Sequence, residues 1–179
     1  MGAANSRDWV SRIDQGWHVE ELSMGDGFNF ENLKAAILAL SRATDWATAR
    51  REWVLTGVYE ADQPETCLCE HFPIIEICVI KNTITQAVAE VGNVCVKRFL
   101  GIRSDLIFAA LKRIRKDISK SLNEDAIVLC LENHLINQWE YEFLQDTKRK
   151  RSLSEKQMSK RMDVNRKVLA AMAHRGLRT

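Results

Sequence analysis

Apolar residues recur along this chain with two different periods, and the change of period divides it. From Asn32 to Ala43 the spacing of Leu33, Ile37 and Leu40 predicts a helix with one buried face. Ahead of it, residues 1–31 hold Trp9, Trp17, Phe28 and Phe30, interrupted by Gly16, Gly25 and Gly27. Their rings favour packing over disorder. Glu52–Tyr59 is β-branched and aromatic, which predicts a strand. Ile74–Lys81 predicts a second strand, Asn82–Thr85 a turn, and Ala87–Val91 the hairpin partner. Gly92-Asn93 breaks that strand, and Val94–Leu100 begins a helix.

Beyond Gly101 the period becomes helical. Ile107, Leu111, Ile114, Ile118 and Leu122 form a core stripe on a helix predicted over 104–122, and Lys112, Arg113, Arg115, Lys116 and Lys120 occupy its other face. Asn123-Glu124-Asp125 caps a shorter helix to Leu131, and Trp139, Tyr141 and Phe143 anchor another. Ser154 and Gln157 fit a capping box that opens a final helix, with Met158, Met162, Leu169 and Met172 on one side. Asn165 interrupts that stripe, which predicts a hydrogen bond from its side chain to a buried backbone group. The fold class expected is α+β: a small treble-clef-like, zinc-bound β-hairpin module flanked by helices, with a helical C-terminal half. The expected segments are 1–48 (helical or irregular), 49–101 (zinc-binding β module) and 102–179 (basic helical region).

Charge sharpens this division. The formal net charge is +2 over 179 residues. Residues 1–96 carry seven Lys/Arg against fourteen Asp/Glu, and residues 97–179 carry nineteen against ten, so −7 and +9 compose that small total. Lys148-Arg149-Lys150-Arg151 is the densest run, and Lys160 and Arg161 follow on the last helix. Such a face is either simply solvated or a phosphate contact, since each neutralised phosphate releases counterions. No apolar run approaches the roughly 18 residues of a membrane span. No basic start followed by an apolar stretch marks a secretory signal. With an odd cysteine count, these features predict a reducing, cytoplasmic setting and no disulfide framework.

Three of the five cysteines join a histidine. Cys67-Leu68-Cys69-Glu70-His71 offers three soft donors on one short knuckle, and Cys95 can pin a second segment to it. Four thiolate and imidazole ligands close a tetrahedron around one Zn2+ with no vacancy for water, so the site expected is structural. Cys78 competes with His71 as fourth ligand; it lies in Ile74–Ile80 on the strand face that carries Ile74, Glu76 and Ile80. Cys130 reads as a core thiol. Cys95 falls at a helix N-terminus, where the dipole favours a thiolate.

The run Cys67-Leu68-Cys69-Glu70-His71 … Ile80-Lys81-Asn82 … Val91-Gly92-Asn93-Val94-Cys95-Val96-Lys97-Arg98-Phe99 resembles a zinc module seen in uncharacterised proteins of bacteria, phages and large DNA viruses, with the pattern Cys-x-Cys-x-His…Gly-x-x-Cys-x-x-x-Phe. The resemblance covers residues 52–100. It implies Cys67, Cys69, His71 and Cys95 as ligands, with Asn82, Gly92 and Phe99 as framework. Glu70 stands where glycine is frequent, and Gln86 replaces the hairpin glycine, which leaves the turn type open. Leu153-Ser154-Glu155-Lys156-Gln157 is similar to a segment of phage and replication-associated proteins.

Two functions follow as expectations. One is a non-catalytic, zinc-stabilised accessory protein linked to a phage or mobile element, which contacts DNA or RNA phosphates through its basic helices. The other is an interaction subunit or inhibitor of a nucleoprotein complex in defence or replication. Catalysis is not expected: His18, His134 and His174 lack readable partners, and no nucleophile triad, glycine-rich phosphate loop or deaminase signature is present. Neither a membrane nor a small-molecule substrate is expected as partner.

Overall fold

The computed structural model describes residues 24–175, with side chains placed between 27 and 172. Expectations for Trp9, Trp17, His18 and the His174 side chain lie outside these residues. Helices α1 (Met24–Leu40) and α2 (Trp46–Arg51) precede strands β1 (Trp53–Glu65), β2 (Ile74–Asn82) and β3 (Val88–Gly92). Five helices follow: α3 (Asn93–Leu100), α4 (Ser104–Lys116), α5 (Glu124–Glu132), α6 (Gln138–Thr147) and α7 (Glu155–Arg175). The fold is therefore α+β and mostly helical.

The strands form one antiparallel sheet in the order β1-β2-β3. Val58 lies opposite Cys78, and Cys78 opposite Val91. Ile77 and Cys78 are adjacent, so they point to opposite faces. Both are fully buried, which means that the centre of the sheet is covered on each side. One hydrophobic cluster runs through Leu33 and Ile37 of α1, Trp53 and Val58 of β1, Phe99 of α3, Ile107 and Ile114 of α4, Ile127 of α5, Leu144 of α6, and Val164 and Val168 of α7. The segments 1–48, 49–101 and 102–179 thus contribute to a common core. Phe99 gathers its aromatic part, with Trp46 at 5.3 Å and Trp53 at 6.2 Å between ring centroids.

Several ends are set by local side-chain chemistry. The Ser154 amide donates to Gln157 Oε1 and the Gln157 amide to Ser154 Oγ, so the expected capping box is present. Asn123 caps α5 through the Ala126 amide, also as expected. Asn137 and Glu140 form a second capping box at α6, and Asp45 caps α2. Three predicted spans need correction. The strand read over Glu52–Tyr59 runs from Trp53 to Glu65. The first helix begins at Met24, taking in Gly25 and Gly27, and ends at Leu40 instead of Ala43. The helix predicted over 104–122 stops at Lys116, because the Asp117 carboxylate takes the Ser119 amide and hydroxyl and so competes with the helix ladder. Leu122 is nevertheless buried. Asn165 of α7 donates to the Ile118 and Lys120 carbonyls in this turn, at 2.7 and 2.8 Å, as its place in the apolar stripe foretold.

Candidate metal centre

The connection from β1 to β2 makes a tight knuckle. The Glu70 amide donates to the Cys67 carbonyl at 2.8 Å, and the Cys67 amide to the His71 carbonyl at 2.9 Å. The Leu68 amide reaches the Glu90 carbonyl and ties the knuckle to β3. Glu70 adopts φ 69°, and Gln86 in the hairpin turn φ 63°. Both are left-handed backbone conformations held by residues other than glycine. Asn82 builds the hairpin: its Oδ1 accepts the Ile84 and Thr85 amides, and its Nδ2 donates to Glu52 at 2.7 Å. Glu52 also receives the Arg42 and Ala43 amides, which locks the α1–α2 loop to the turn. These contacts, the Asn82 bond first, hold the Glu52 carboxyl below its usual value.

Cys95, in the first turn of α3, brings its sulfur to 3.6 Å from Cys67 Sγ and 3.4 Å from Cys69 Sγ. All three sulfurs lie within 4.8 Å of one another, a grouping able to hold a metal ion. A tetrahedral zinc with bonds of about 2.3 Å sets its sulfurs roughly 3.8 Å apart. A disulfide needs about 2.05 Å. The spacing therefore suits a shared metal better than a bond between two thiols. Hydrogen bonding with Cys95 lowers the Cys67 thiol to about 5, against the opposing effect of burial. The Gly92 amide, which donates to Cys67 Sγ at 3.2 Å, acts in the same direction. Burial raises Cys69, and Cys95 is raised chiefly by its bond to Cys67, with burial and the neighbouring sulfurs acting in the same direction.

Three of the four expected ligands therefore converge. The fourth, His71, is exposed and its imidazole stays outside the group of three. It nonetheless lines the same cleft, of about 440 Å³, that the three cysteines line. Cys78 is also outside the group: buried beside Ser104, its thiol is pushed up to about 12, chiefly by desolvation. Cys130 is fully buried in α5, a core thiol as expected. Sequence reasoning missed the cleft itself. Its apolar walls come from Phe30 and Leu33 of α1, Ile74 and Ile75 of β2, and Val94 of α3, which meet only in the folded chain.

The ten basic residues singled out divide into distinct situations. On α4, Lys112 bridges Glu60 at 3.1 Å and Glu76 at 2.8 Å, Arg115 pairs with Glu60, Arg113 donates to the Ser121 carbonyl, and Lys116 is exposed. In the turn after α6, Lys148 pairs with Glu124, Lys150 with Asp146, and Arg149 and Arg151 are exposed. Lys160 is bound to the buried Glu140 and lies over the Trp139 ring. Arg161 needs correction as a surface contact: it is 5% exposed and donates to the Thr147 carbonyl at 2.6 Å, closing α7 onto the end of α6. No helix among the described residues is long and apolar enough to cross a membrane. Comparison with protein-family models, curated proteins and solved structures finds no match for this chain.

Proposed function

We propose that the protein is a non-catalytic, zinc-stapled nucleic-acid-binding accessory protein, linked to a phage or mobile element. Zn2+ would sit among Cys67, Cys69 and Cys95, with His71 as the donor its own chain can add, and would fix a treble-clef-like order of knuckle, hairpin and helix. The observation that carries the nucleic-acid reading is the exposed basic turn Arg149-Lys150-Arg151, with the exposed α4 row of Lys112, Arg113, Arg115 and Lys116 as a second candidate contact. The ion pairs that engage Lys112, Arg115 and Lys150 are solvent-exposed and worth about 0–1 kcal/mol each, so phosphates can replace them.

Metal analysis should find about one zinc per chain, as a single tetrahedral site implies. Cys69→Ser should release it and loosen the knuckle. Binding to DNA or RNA should weaken steeply from low to moderate salt, and charge reversal across Arg149, Lys150 and Arg151 should weaken it further. Absence of binding at low salt would overturn the nucleic-acid reading.

A second reading, an interaction subunit of a nucleoprotein complex, is favoured by one feature. Phe72, Ile75 and Val94 are 59%, 50% and 58% exposed around the knuckle and its cleft, an apolar surface that a protein partner would cover. Recovery of a defined partner that is lost on Ile75→Lys, with no intrinsic nucleic-acid affinity, would decide for it.

A further inference from the structure

We propose that a metal at Cys67, Cys69 and Cys95 keeps an exchangeable fourth position open to the adjoining cleft, where a neutral, imidazole-like nitrogen donor carried on an apolar group competes with His71. The inference rests on the metal reading above. Three cysteine sulfurs converge, and three corners of a tetrahedron are thereby supplied. The remaining candidate within the chain behaves differently. His71 is held at the knuckle by its backbone, whose carbonyl accepts the Cys67 amide, while its ring is exposed and apart from the sulfurs. Rotation of that ring is the movement left to bring it in or out, so His71 is a displaceable ligand and not a fixed one.

The surroundings select the competitor. Three thiolates around a divalent ion give −1, and a fourth anion would raise this to −2. The cleft walls are mostly apolar, with Phe30, Leu33, Ile74, Ile75 and Val94, and Arg98 and Glu76 carry opposite charges that leave the lining without net charge to offset that anion. A neutral nitrogen donor leaves the charge unchanged, which costs less in a low-dielectric surrounding. The cleft holds about 440 Å³. That is within the range of about 300–1,000 Å³ typical of ligand sites, room for a heteroaromatic ring with an apolar substituent.

Cobalt tests this directly, because its d–d bands report the fourth ligand while its thiolate charge-transfer band reports the three cysteines. Full-length protein loaded with Co2+ is titrated with imidazole and with phenylimidazole. The d–d bands should shift saturably, and phenylimidazole should bind about tenfold tighter because its ring enters the apolar cleft. His71→Ala should keep its cobalt against a chelator and bind phenylimidazole more tightly than the wild type. Val94→Gln, at an exposed cleft position, should remove the advantage of the phenyl ring. Spectra insensitive to phenylimidazole in both wild type and His71→Ala overturn the proposal, as does loss of cobalt from His71→Ala, which would make His71 a fixed ligand. A protein that shows no thiolate charge-transfer band with cobalt refutes the metal reading itself, and the exchangeable position with it.

Discussion

Gly92 joins the sheet to the cluster of Cys67, Cys69 and Cys95, and its replacement tests why glycine stands there. Its backbone, at φ −71° and ψ 162°, is open to any residue, so no left-handed requirement exists. The constraint is contact: a Cβ at Gly92 would meet Ile74 Cγ2 at 3.2 Å. Carbon pairs prefer about 3.5–4.0 Å, so a few tenths of an ångström must be found. Ile74 Cγ2 is attached to Cβ and moves only if the stiff χ1 of a β-branched residue changes. Overpacking of this kind costs about 1–3 kcal/mol, and we take about 1.5 kcal/mol, in the lower half of that range, because Ile74 is half-buried. Against it, Gly→Ala restricts the unfolded chain and contributes about 0.4–1 kcal/mol of stability. Gly92→Ala should therefore destabilise the wild-type background by about 1 kcal/mol.

In an Ile74→Ala background the obstructing methyl is gone, and the same change should stabilise by about 0.5 kcal/mol. Urea unfolding of the four proteins of this cycle gives a coupling of about 1.5 kcal/mol if the reasoning holds. Chelator competition should also show weaker metal retention in Gly92→Ala alone, since the amide that donates to Cys67 Sγ is displaced. Equal effects of Gly92→Ala in both backgrounds would refute steric contact as the reason for this glycine.

Asn165→Ala removes the donor that serves the Ile118 and Lys120 carbonyls, and urea unfolding should show a loss of about 2 kcal/mol. Asn165→Asp should be worse than Ala, because a carboxylate would face the same two carbonyls. Glu52 has a lowered folded-state pKa, so its contribution is present above the ordinary value of 4.5 and is lost as the pH falls through the depressed folded value. Thermal midpoints of wild type and Glu52→Gln should therefore converge on acidification below that value; a gap that widens there would contradict it. At Gln86, whose φ is 63°, glycine should be more stable than alanine by about 1 kcal/mol, the reverse of the order in ordinary helix or strand positions. Thermal unfolding of Gln86→Gly against Gln86→Ala settles the order.

What the sequence made legible was chemistry acting over a few residues. Ser154 with Gln157 and Asn123 as a cap needed only their own turns, and each is found as read. Asn165 was legible because a polar residue in an apolar stripe must find a partner, though not which carbonyls it would meet. Cys67 and Cys69 share a knuckle, and Cys95 follows a strand break, so their convergence was also within reach. The end of α4 was not, because the apolar stripe continues to Leu122 while Asp117 and Ser119 divert the backbone. Nor was the fate of Arg161: its burial depends on the end of α6 lying against α7, a contact between segments that periodicity does not rank. The cleft was hidden for the same reason, since its walls come from α1, β2 and α3.

The opposite charges of the two halves acquire a different meaning once the fold is known. Glu60 and Glu76 of the acidic half meet Lys112 and Arg115 of the basic half, so part of the asymmetry is used inside the molecule. Glu140, 7% exposed at its side chain, engages Lys160 and Lys167 as well. The basic turn at Arg149, Lys150 and Arg151 remains outward, and this sets the salt dependence to expect. If only these three residues meet phosphates on duplex DNA, the logarithmic slope of affinity against salt should be roughly −2.7. If the α4 row exchanges its carboxylates for phosphates as well, four more contacts steepen the slope to roughly −6. Charge reversal at Glu60 and Glu76 tells the cases apart: freeing Lys112 and Arg115 while removing nearby acid should tighten binding only if α4 lies in the interface. Unchanged affinity in that variant, together with the shallower slope, would confine nucleic acid to the turn between α6 and α7.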